Sequence, residues 1–210
     1  MSKIISISGR IGSGKDTIAN YLITHHGFKK MAFADALKDA VSVIFGWDRA
    51  MLEGSTASSR QWREQIDQWW SKRLNIPHLT PRWVLQHFGT ELLREHFHHD
   101  IWIAAIENKL RTNTDDVVIT DARFFNELNA IKTNNGTTLR VIRNENPIWH
   151  DAAIKFNTSD NELYKVPAKI ILDKHEVHAS EYSSIGFAYD HFVENNGTID
   201  DLHSRIEKLI

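Results

Sequence analysis

Residues 9–17 combine glycines, a lysine, an acid and a hydroxyl at a spacing that suits a polyphosphate ligand. Glycines let the backbone turn so that successive N–H groups point at one phosphate group. Lys15 follows Gly14 and brings a mobile positive charge to the β- and γ-phosphates. The stretch therefore predicts a nucleoside triphosphate site, and the alternative is a glycine-rich connection without a ligand.

The residue after this lysine departs from the general pattern. In G-x-x-x-x-G-K-[ST], the last hydroxyl touches Mg²⁺. Here Asp16 takes that place and Thr17 follows it. Carboxylate and hydroxyl oxygens both suit Mg²⁺, so the sequence leaves open which of the two supports the metal. A further alternative is that Asp16 only stabilises the N-terminus of a helix as an acid in its first turn.

The elements around this loop predict an α/β protein with a parallel sheet. Apolar runs predict strands at 4–7, 28–33, 116–120, 137–142 and within 190–197, with an added strand at 169–172. Helical spacing predicts helices from 17, at 34–45, from 81, at 100–110 and at 198–210. Gly89 and Thr90 are expected to break the helix that begins at Pro81.

Two charged residues directly follow the predicted strand 116–120. Ligands gather at the carboxyl ends of parallel strands, so Asp121 is expected to order Mg²⁺-bound water or to orient an acceptor. Arg123 is expected to bridge two phosphates, and the alternative for the pair is a helix cap with a structural ion pair. Lys38 is expected near the same edge of the sheet. It either binds the ligand or lies on a solvent-exposed helix face, and the sequence favours neither.

Residues 47–81 are rich in tryptophan and arginine. Arginine takes phosphate and indole stacks on a base, although the tryptophans alternatively form a small core. Arg60 follows a flexible loop and is expected to close over phosphate. Arg82 and Gln86 share one helix face, where Arg82 could bind a phosphate and Gln86 the edge of a base. The alternative is that both are ordinary surface residues.

Composition bounds the remaining possibilities. The 210 residues carry a formal net charge of -2 and no cysteine, which excludes disulfides, thiolate metal sites and a general attraction to nucleic acid. No apolar run approaches membrane-spanning length and no signal-peptide layout is present. We therefore expect one soluble domain over 1–210 in the cytoplasm, the host-cell cytoplasm if the chain is viral. The Trp-rich surface leaves a homodimer open.

The order of the motifs resembles the bacteriophage-type deoxynucleoside monophosphate kinases, a family of P-loop nucleoside-monophosphate kinases. The Lys-Asp-Thr ending at 15–17, an anomaly against the general pattern, is usual in that family. The matching pieces run in family order over nearly the whole chain: the loop at 9–17, Phe33-Ala34-x-x-Leu37-Lys38, Pro81-Arg82-x-x-Leu85-Gln86-x-x-Gly89-Thr90-Glu91, Asp100-x-Trp102, Thr120-Asp121-x-Arg123-Phe124-x-Asn126-Glu127, His178-x-Ser180-Glu181 and Asn195-x-Gly197.

The resemblance implies a three-layer P-loop kinase fold, with a parallel central sheet flanked by helices. It also implies a helical monophosphate-binding insertion at 47–81. Residues of about 144–174 depart most from the family pattern and are expected to form a lid or an insertion. Mg²⁺-ATP would be the phosphoryl donor and a deoxynucleoside monophosphate (dNMP) the acceptor, with no nucleic-acid or membrane partner.

The resemblance also assigns residues to roles. Catalytic roles fall to Lys15, Asp16, Asp121 and Arg123. ATP would be bound by Gly12, Ser13, Gly14, Lys15, Asp16 and Thr17, with Asp16 and Thr17 at the metal. The dNMP site would be formed by Ile11, Lys38, Arg60, Arg82, Gln86, Gly89, Thr90, Trp102, Asp121, Arg123 and Glu127.

Three alternatives compete with this interpretation. A P-loop kinase of another phosphorylated acceptor, such as dephospho-coenzyme A, shares the loop but leaves Gln86 and the Trp/Arg segment unexplained. A non-catalytic nucleotide-binding module is the second. A GTP-dependent switch is the third, although the chain lacks the Asn-Lys-x-Asp motif that usually reads guanine.

Overall fold

The computed structural model describes residues 2–210, apart from the side chain of Ser180. The chain divides into two compact units. The sheet unit joins the chain up to Ala32 with Leu110–Ile210, and the helical unit is the single segment Phe33–Lys109. The predicted insertion at 47–81 therefore lies inside the helical unit, and the predicted lid at 144–174 lies inside the sheet unit.

Five parallel strands form the sheet, in the order β2-β3-β1-β4-β5. The strands are β1 Ile4–Gly9, β2 Lys29–Met31, β3 Val117–Ile119, β4 Thr137–Ile142 and β5 His191–Glu194. All three residues of β3 are buried, as expected for a parallel strand covered on both faces. The α/β class and these five strand predictions are confirmed.

Helices connect the strands and make up the helical unit. In chain order they are α1 Lys15–His26, α2 Asp35–Phe45, α3 Arg49–Glu53, α4 Ala57–Arg63, α5 Gln68–Leu74, α6 Pro81–Gln86, a π-helix His87–Glu95, α7 Ile101–Thr112, α8 Phe125–Thr133, α9 His150–Thr158, α10 Glu162–Lys174, α11 Ala179–Tyr182 and α12 Ile199–Glu207. Among the described residues, no helix is both long enough and apolar enough to cross a bilayer.

One core of the sheet unit lies beside the phosphate loop. Ile7 of β1 packs with Ile18 and Leu22 of α1, and with Leu202 and Ile206 of α12. Each of these side chains is at least 98% buried. This core fixes where β1 ends and α1 begins, and so it holds the loop between them.

The predicted strand at 169–172 is wrong, because these residues lie in α10. Ala168 and Leu172 are four residues apart and buried, whereas Ile170 is 63% exposed and Ile171 is 41% exposed. Burial at helical spacing therefore outweighs the preference of adjacent isoleucines for a strand.

The predicted helix break at Gly89 and Thr90 is also wrong, because the chain continues as a π-helix through them. Gly89 is buried, and a Cβ built on it would lie 2.8 Å from Leu37 Cδ2. The indole of Trp102 donates to the Gly89 carbonyl at 2.9 Å. Close packing and this hydrogen bond explain why a glycine is tolerated inside the helix.

The tryptophans of the helical unit mostly form its core. Trp47 and Trp102 are buried, and Trp62 and Trp70 pack against the same cluster. Trp69 and Trp83 are exceptions, with 63% and 36% of their surfaces exposed. The core alternative therefore holds for most of the tryptophans in the predicted insertion.

Candidate functional site

The phosphate loop runs from the end of β1 to the first turn of α1. Gly14 has φ 106°, a left-handed conformation that favours glycine. A Cβ at this position would also lie 2.4 Å from Asn195 Nδ2. The same Asn195 amide donates to the Ser13 carbonyl at 2.7 Å. A residue that follows β5 therefore clamps the loop, and this contact leaves room only for glycine at position 14.

Lys15 is folded over the loop. Its Nζ donates to the carbonyls of Gly9 and Arg10, at 2.7 and 2.8 Å. Burial lowers the pKa of this ammonium, Asp16 opposes that effect, and Arg123 adds to it. The lysine thus contacts neutral oxygens and is held in a place where its positive charge is unfavourable until an anion arrives.

Three oxygen-bearing side chains cluster near the start of α1. Asp16 is exposed and lies in the first helical turn, and Thr17 is half-buried. The Ser13 hydroxyl is buried and has no hydrogen-bond partner among the described residues. Hydroxyl and carboxylate oxygens are the donors that Mg²⁺ prefers, so the residues present fit that metal. Asp16 is also an acid in the first turn of α1, where it can stabilise the N-terminus of the helix. Its role as a metal ligand and its role in the helix both stay open.

A cavity opens beside this loop in the sheet unit. It brings the predicted residues Ile11, Lys15 and Arg123 together. Its full lining is Ser8, Gly9, Ile11, Lys15, Thr120, Ala122, Arg123, Arg140, Glu181 and Ser184. Three cations and one acid in that lining leave a net positive cavity, which suits a phosphate group.

Arg140 is a lining residue that the sequence analysis missed. It lies within β4 and is only 8% exposed. A signal for it exists in the alternation of polar residues in two buried strands. Ser6 and Ser8 of β1 pair in register with Thr138 and Arg140 of β4, and all four side chains are buried. Buried polar side chains require hydrogen-bond partners. Four of them in two adjacent strands are therefore unusual and point to a functional role.

The acids after β3 take different positions. Helix α8 begins at Phe125 with Phe124 as its N-cap, so Asp121 does not cap that helix. Glu127 is 3% exposed, and its Oε2 accepts from the backbone N–H of Arg123 at 2.8 Å. It also accepts from the N–H of Phe124 at 3.3 Å. Glu127 therefore fixes the backbone from which the exposed Arg123 side chain extends.

A second cavity of about 380 Å³ lies beside the loop, between the ends of β4 and β5. Arg143 donates to the Gly12 carbonyl at 3.2 Å, and the Asn144 N–H donates to Asn196 Oδ1 at 2.8 Å. The cavity is lined by Arg143, Asn144, Glu145, Asn195, Asn196 and Gly197. Its amides can both donate and accept, which suits the edge of a nucleobase.

In the helical unit, the cations that are predicted to bind phosphate contact oxygens of the protein itself. Lys38 Nζ lies 2.7 Å from Glu53 Oε2, and Arg82 Nη1 lies 2.8 Å from Glu64 Oε1. Arg60 donates to the Ser55 carbonyl at 3.1 Å. Each of these three cations is thus held by a protein oxygen within the helical unit.

Arg63 is a second residue that the sequence analysis did not single out. Its Nε is buried and has no hydrogen-bond partner among the described residues. Burial lowers the pKa of its guanidinium, and the nearby Arg82 lowers it further. Arg63, Arg60 and Arg82 therefore form a basic cluster in the helical unit.

The other predicted dNMP residues divide into surface and core. Gln86 and Thr90 are exposed. Trp102 is only 7% exposed and belongs to the helical core, where it holds the Gly89 carbonyl. Trp102 and Gly89 thus shape the π-helix that carries Thr90.

The amino-acid sequence is similar to those of two viral nucleotide kinases. No family model matches the chain. A protein of Acanthamoeba polyphaga mimivirus named deoxynucleotide monophosphate kinase is 31% identical over 154 residues, which cover 67% of this chain and 74% of that protein. The deoxynucleoside-5'-monophosphate kinase of Escherichia phage T5 is 27% identical over 184 residues, covering 64% of this chain and 74% of that one.

Solved structures resemble the chain loosely. The dephospho-CoA kinase from Campylobacter jejuni shares 15% identity at a TM-score of 0.44, covering 99% of this chain and 95% of that chain. The fold class therefore rests on the sheet order and the phosphate loop of this chain.

Proposed function

Since this chain belongs to the deoxynucleotide monophosphate kinase family and is a nucleotide kinase, we propose that it transfers the γ-phosphoryl group of Mg-ATP to a dNMP. The products are ADP and a deoxynucleoside diphosphate, and the latter is a precursor for DNA synthesis. The observation that carries the proposal is Lys15, which lies on a glycine-rich loop beside a cavity that Arg123 also lines. A lysine and an arginine at one cavity can neutralise the charge that moves between two phosphates.

No strong general base is needed in this reaction, because the attacking oxygen of the acceptor phosphate is already anionic. The task of the protein is to position two phosphates and to neutralise their charge. Lys15 would leave its two carbonyl partners and donate to the β- and γ-phosphates. Arg123, whose backbone Glu127 holds, would contact both the donor and the acceptor phosphate. Asp121 would orient the acceptor.

Asp16 and Thr17 would hold Mg²⁺. The buried Ser13 hydroxyl, which has no hydrogen-bond partner in the described part of the chain, supports an oxygen-rich site at this helix end. When bound, the metal neutralises charge on the β- and γ-phosphates. Gly12 and Gly14 let the loop amides reach the same phosphates. The amide-lined cavity at Asn144 and Asn196 is our candidate for the base of the donor.

The acceptor residues belong mainly to the helical unit. Arg60, Arg82 and Lys38 would bind the acceptor phosphate, and Gln86 and Thr90 would contact the rest of the nucleotide. Trp102 would act by holding the Gly89 carbonyl. From the sheet unit, Ile11, Arg123 and Glu127 complete the predicted dNMP set.

Three further proposals concern organisation. We assign the substrate-binding insertion to 47–81 within the helical unit and a lid to about 144–174. The site of action is the cytoplasm, that of the host cell for a viral chain. A homodimer is tested by light scattering of the purified protein, and a monomer mass at all concentrations would exclude it.

The main test is an assay for ADP with Mg-ATP and each dNMP in turn, with ribonucleotides and dephospho-coenzyme A as parallel acceptors. We expect ADP only when a nucleotide acceptor is present, with a diphosphate product seen by chromatography. ADP formed equally without an acceptor would contradict the proposal. Turnover with dephospho-coenzyme A alone would transfer the protein to the alternative kinase class.

A further inference from the structure

Arg140 presents a buried charge for which the described protein offers no carboxylate partner. Its guanidinium is part of a side chain that is only 8% exposed. Its Nη1 donates to Ser184 Oγ at 3.5 Å, a long hydrogen bond. The ring of Tyr189 lies 5.6 Å from Cζ. A hydroxyl and an aromatic face are weak compensation for a desolvated cation.

Such an arrangement costs stability. A buried charge is normally paired, and an unpaired one is expensive. In the described part of the chain, Arg140 takes part in no ion pair within 4.0 Å, although Glu181 lines the same cavity. Lys15 and Arg123 line it too. Repulsion among the cations therefore adds to the cost, and an anion in the cavity would remove it.

The strand register places Arg140 next to the start of the phosphate loop. Arg140 pairs with Ser8, the residue directly before Gly9, where the phosphate loop begins. Its guanidinium therefore lines the cavity on the side of the strand that leads into the loop. A phosphate held by the loop amides and Lys15 is the anion nearest to this position.

We propose that Arg140 is a catalytic residue that binds the phosphoryl group being transferred, on the side opposite to solvent. This inference rests on the proposed kinase activity for the identity of the anion. During the transfer, the anionic oxygen of the acceptor forms a bond to the γ-phosphorus while the bond to the bridging oxygen breaks and its electron pair leaves with ADP. The transferred group carries negative charge on its three remaining oxygens throughout. A buried guanidinium with two parallel N–H donors matches that charge better than a mobile ammonium. Glu181 limits the positive excess of the cavity before the anion binds.

The binding test uses inorganic tripolyphosphate, calorimetry and thermal unfolding, without turnover. Arg140→Met should lose at least about tenfold in tripolyphosphate affinity. Without ligand, its melting temperature should equal or exceed that of the wild type, because a buried charge has been removed. The matched control is Arg205→Met, which removes a cation that is 51% exposed on α12, and its affinity should stay unchanged.

Unchanged tripolyphosphate affinity in Arg140→Met overturns the proposal, because it means that Arg140 binds no phosphate. If the melting temperature also falls, Arg140 only supports the fold. If Arg140→Met does not fold, Arg140→Lys decides, because it keeps the charge and loses the planar fork. The lysine variant should lose affinity by about threefold or more, and full affinity would contradict a bidentate contact.

Turnover separates this inference from the proposed function. In Arg140→Met, kcat should fall by about a hundredfold, while KM for the dNMP changes less than about threefold. Loss of tripolyphosphate binding in a protein that accepts no dNMP would refute the proposed function and leave the phosphate site standing. Normal kcat in a protein that does phosphorylate dNMPs would refute the role of Arg140 alone.

Discussion

The two units hold their cations in different ways. In the sheet unit, Lys15 contacts the neutral carbonyls of Gly9 and Arg10, and Arg140 contacts the hydroxyl of Ser184. In the helical unit, Lys38 and Arg82 contact the carboxylates of Glu53 and Glu64. A phosphate arriving at the first set gains new charge pairs. A phosphate arriving at the second set has to replace existing ones.

This difference has a physical consequence for affinity. Desolvated cations beside neutral oxygens are prepared for an anion, and their cost is carried by the folded protein. Exposed ion pairs are worth only about 0–1 kcal/mol, so Arg82, with half of its side chain exposed, can exchange Glu64 for phosphate cheaply. Lys38 is only 13% exposed, which makes its pair with Glu53 harder to replace. In the sheet unit, Lys15 and Arg140 therefore exchange neutral partners for a phosphate, whereas Arg82 in the helical unit exchanges a carboxylate for one.

The largest expected effect comes from removing the charge of Lys15. Lys15→Met should lower kcat by about a hundredfold or more, because it removes a donor to the transferred group. The fold should persist, since the Lys15 side chain bonds only to loop carbonyls. Steady-state rates and circular dichroism test this together, and near-normal turnover of a folded variant would contradict the loop assignment.

Removing the Arg82 guanidinium, which pairs with Glu64, should change the KM for the acceptor and leave the KM for ATP nearly unchanged. Arg82→Ala should raise KM for the dNMP about 30–150-fold, equivalent to about 2–3 kcal/mol for a charge-assisted contact. KM for ATP should change little. Initial rates with each substrate varied in turn give the two constants. Equal changes in both, or none, would remove Arg82 from the acceptor site.

Asp16→Ala tests the proposed Mg²⁺ site at the start of α1. We expect the Mg²⁺ midpoint to rise by about tenfold and kcat to fall, with a smaller loss of dNMP binding. Rates titrated against Mg²⁺ provide the measurement, and Asp16→Asn separates charge from size. If neither kcat nor the midpoint moves, Asp16 acts only on the helix N-terminus.

The lowered pKa of Lys15 predicts a pH effect of several-fold. The ammonium loses its proton at a lower pH than an ordinary lysine does, chiefly because of burial. Tripolyphosphate affinity should therefore fall as pH rises towards the ordinary lysine pKa. In the unfolded chain the proton is retained longer, so this group makes stability increase with pH across the same window.

Calorimetry at a series of pH values, in buffers of equal ionic strength, checks this dependence. Lys15→Gln should flatten the alkaline decline, whereas Lys208→Gln, at an exposed position after α12, should leave it in place. A decline that persists in Lys15→Gln would assign the effect to another group.

The smallest predicted effect tests the exchange of partners. Glu64→Gln removes the competing carboxylate from Arg82, so KM for the dNMP should fall by about twofold to fivefold. Thermal stability should change by less than about 0.5 kcal/mol, as for other exposed positions. A higher KM in this variant would mean that Glu64 positions Arg82 rather than competing for it.

Much of the sheet unit could be predicted because its signals are local. The strand that becomes β1, the glycines of the loop and Lys15 lie within one short stretch, and apolar runs mark the other strands. The strand predicted at 169–172 failed because burial of Ala168 and Leu172 depends on tertiary packing. The break predicted at Gly89 failed because Leu37 and Trp102 stabilise the chain there.

Arg140 and Arg63 could not be found by motif, for related reasons. In sequence, Arg140 is one polar residue in a short strand, and its burial follows from the pairing of β4 with β1 and β5. The position of Arg63 depends on Gly54, since a Cβ there would lie 2.1 Å from its Nη2. The roles assigned to Asp121, Gln86 and Thr90 stay predictions.

The sheet order also constrains how the chain folds during synthesis. Central strand β1 pairs with β3 and β4, and Lys3 bonds to Asp116, 113 residues away. At about 5–20 residues per second, a ribosome needs about 6–23 seconds to make the intervening segment. During that time the apolar β1 has no native partner strand. The helical unit is one continuous segment, Phe33–Lys109, so it is complete before β3 emerges. It can form its local contacts first, and its folding would shorten the loop that must close for the nascent sheet to assemble.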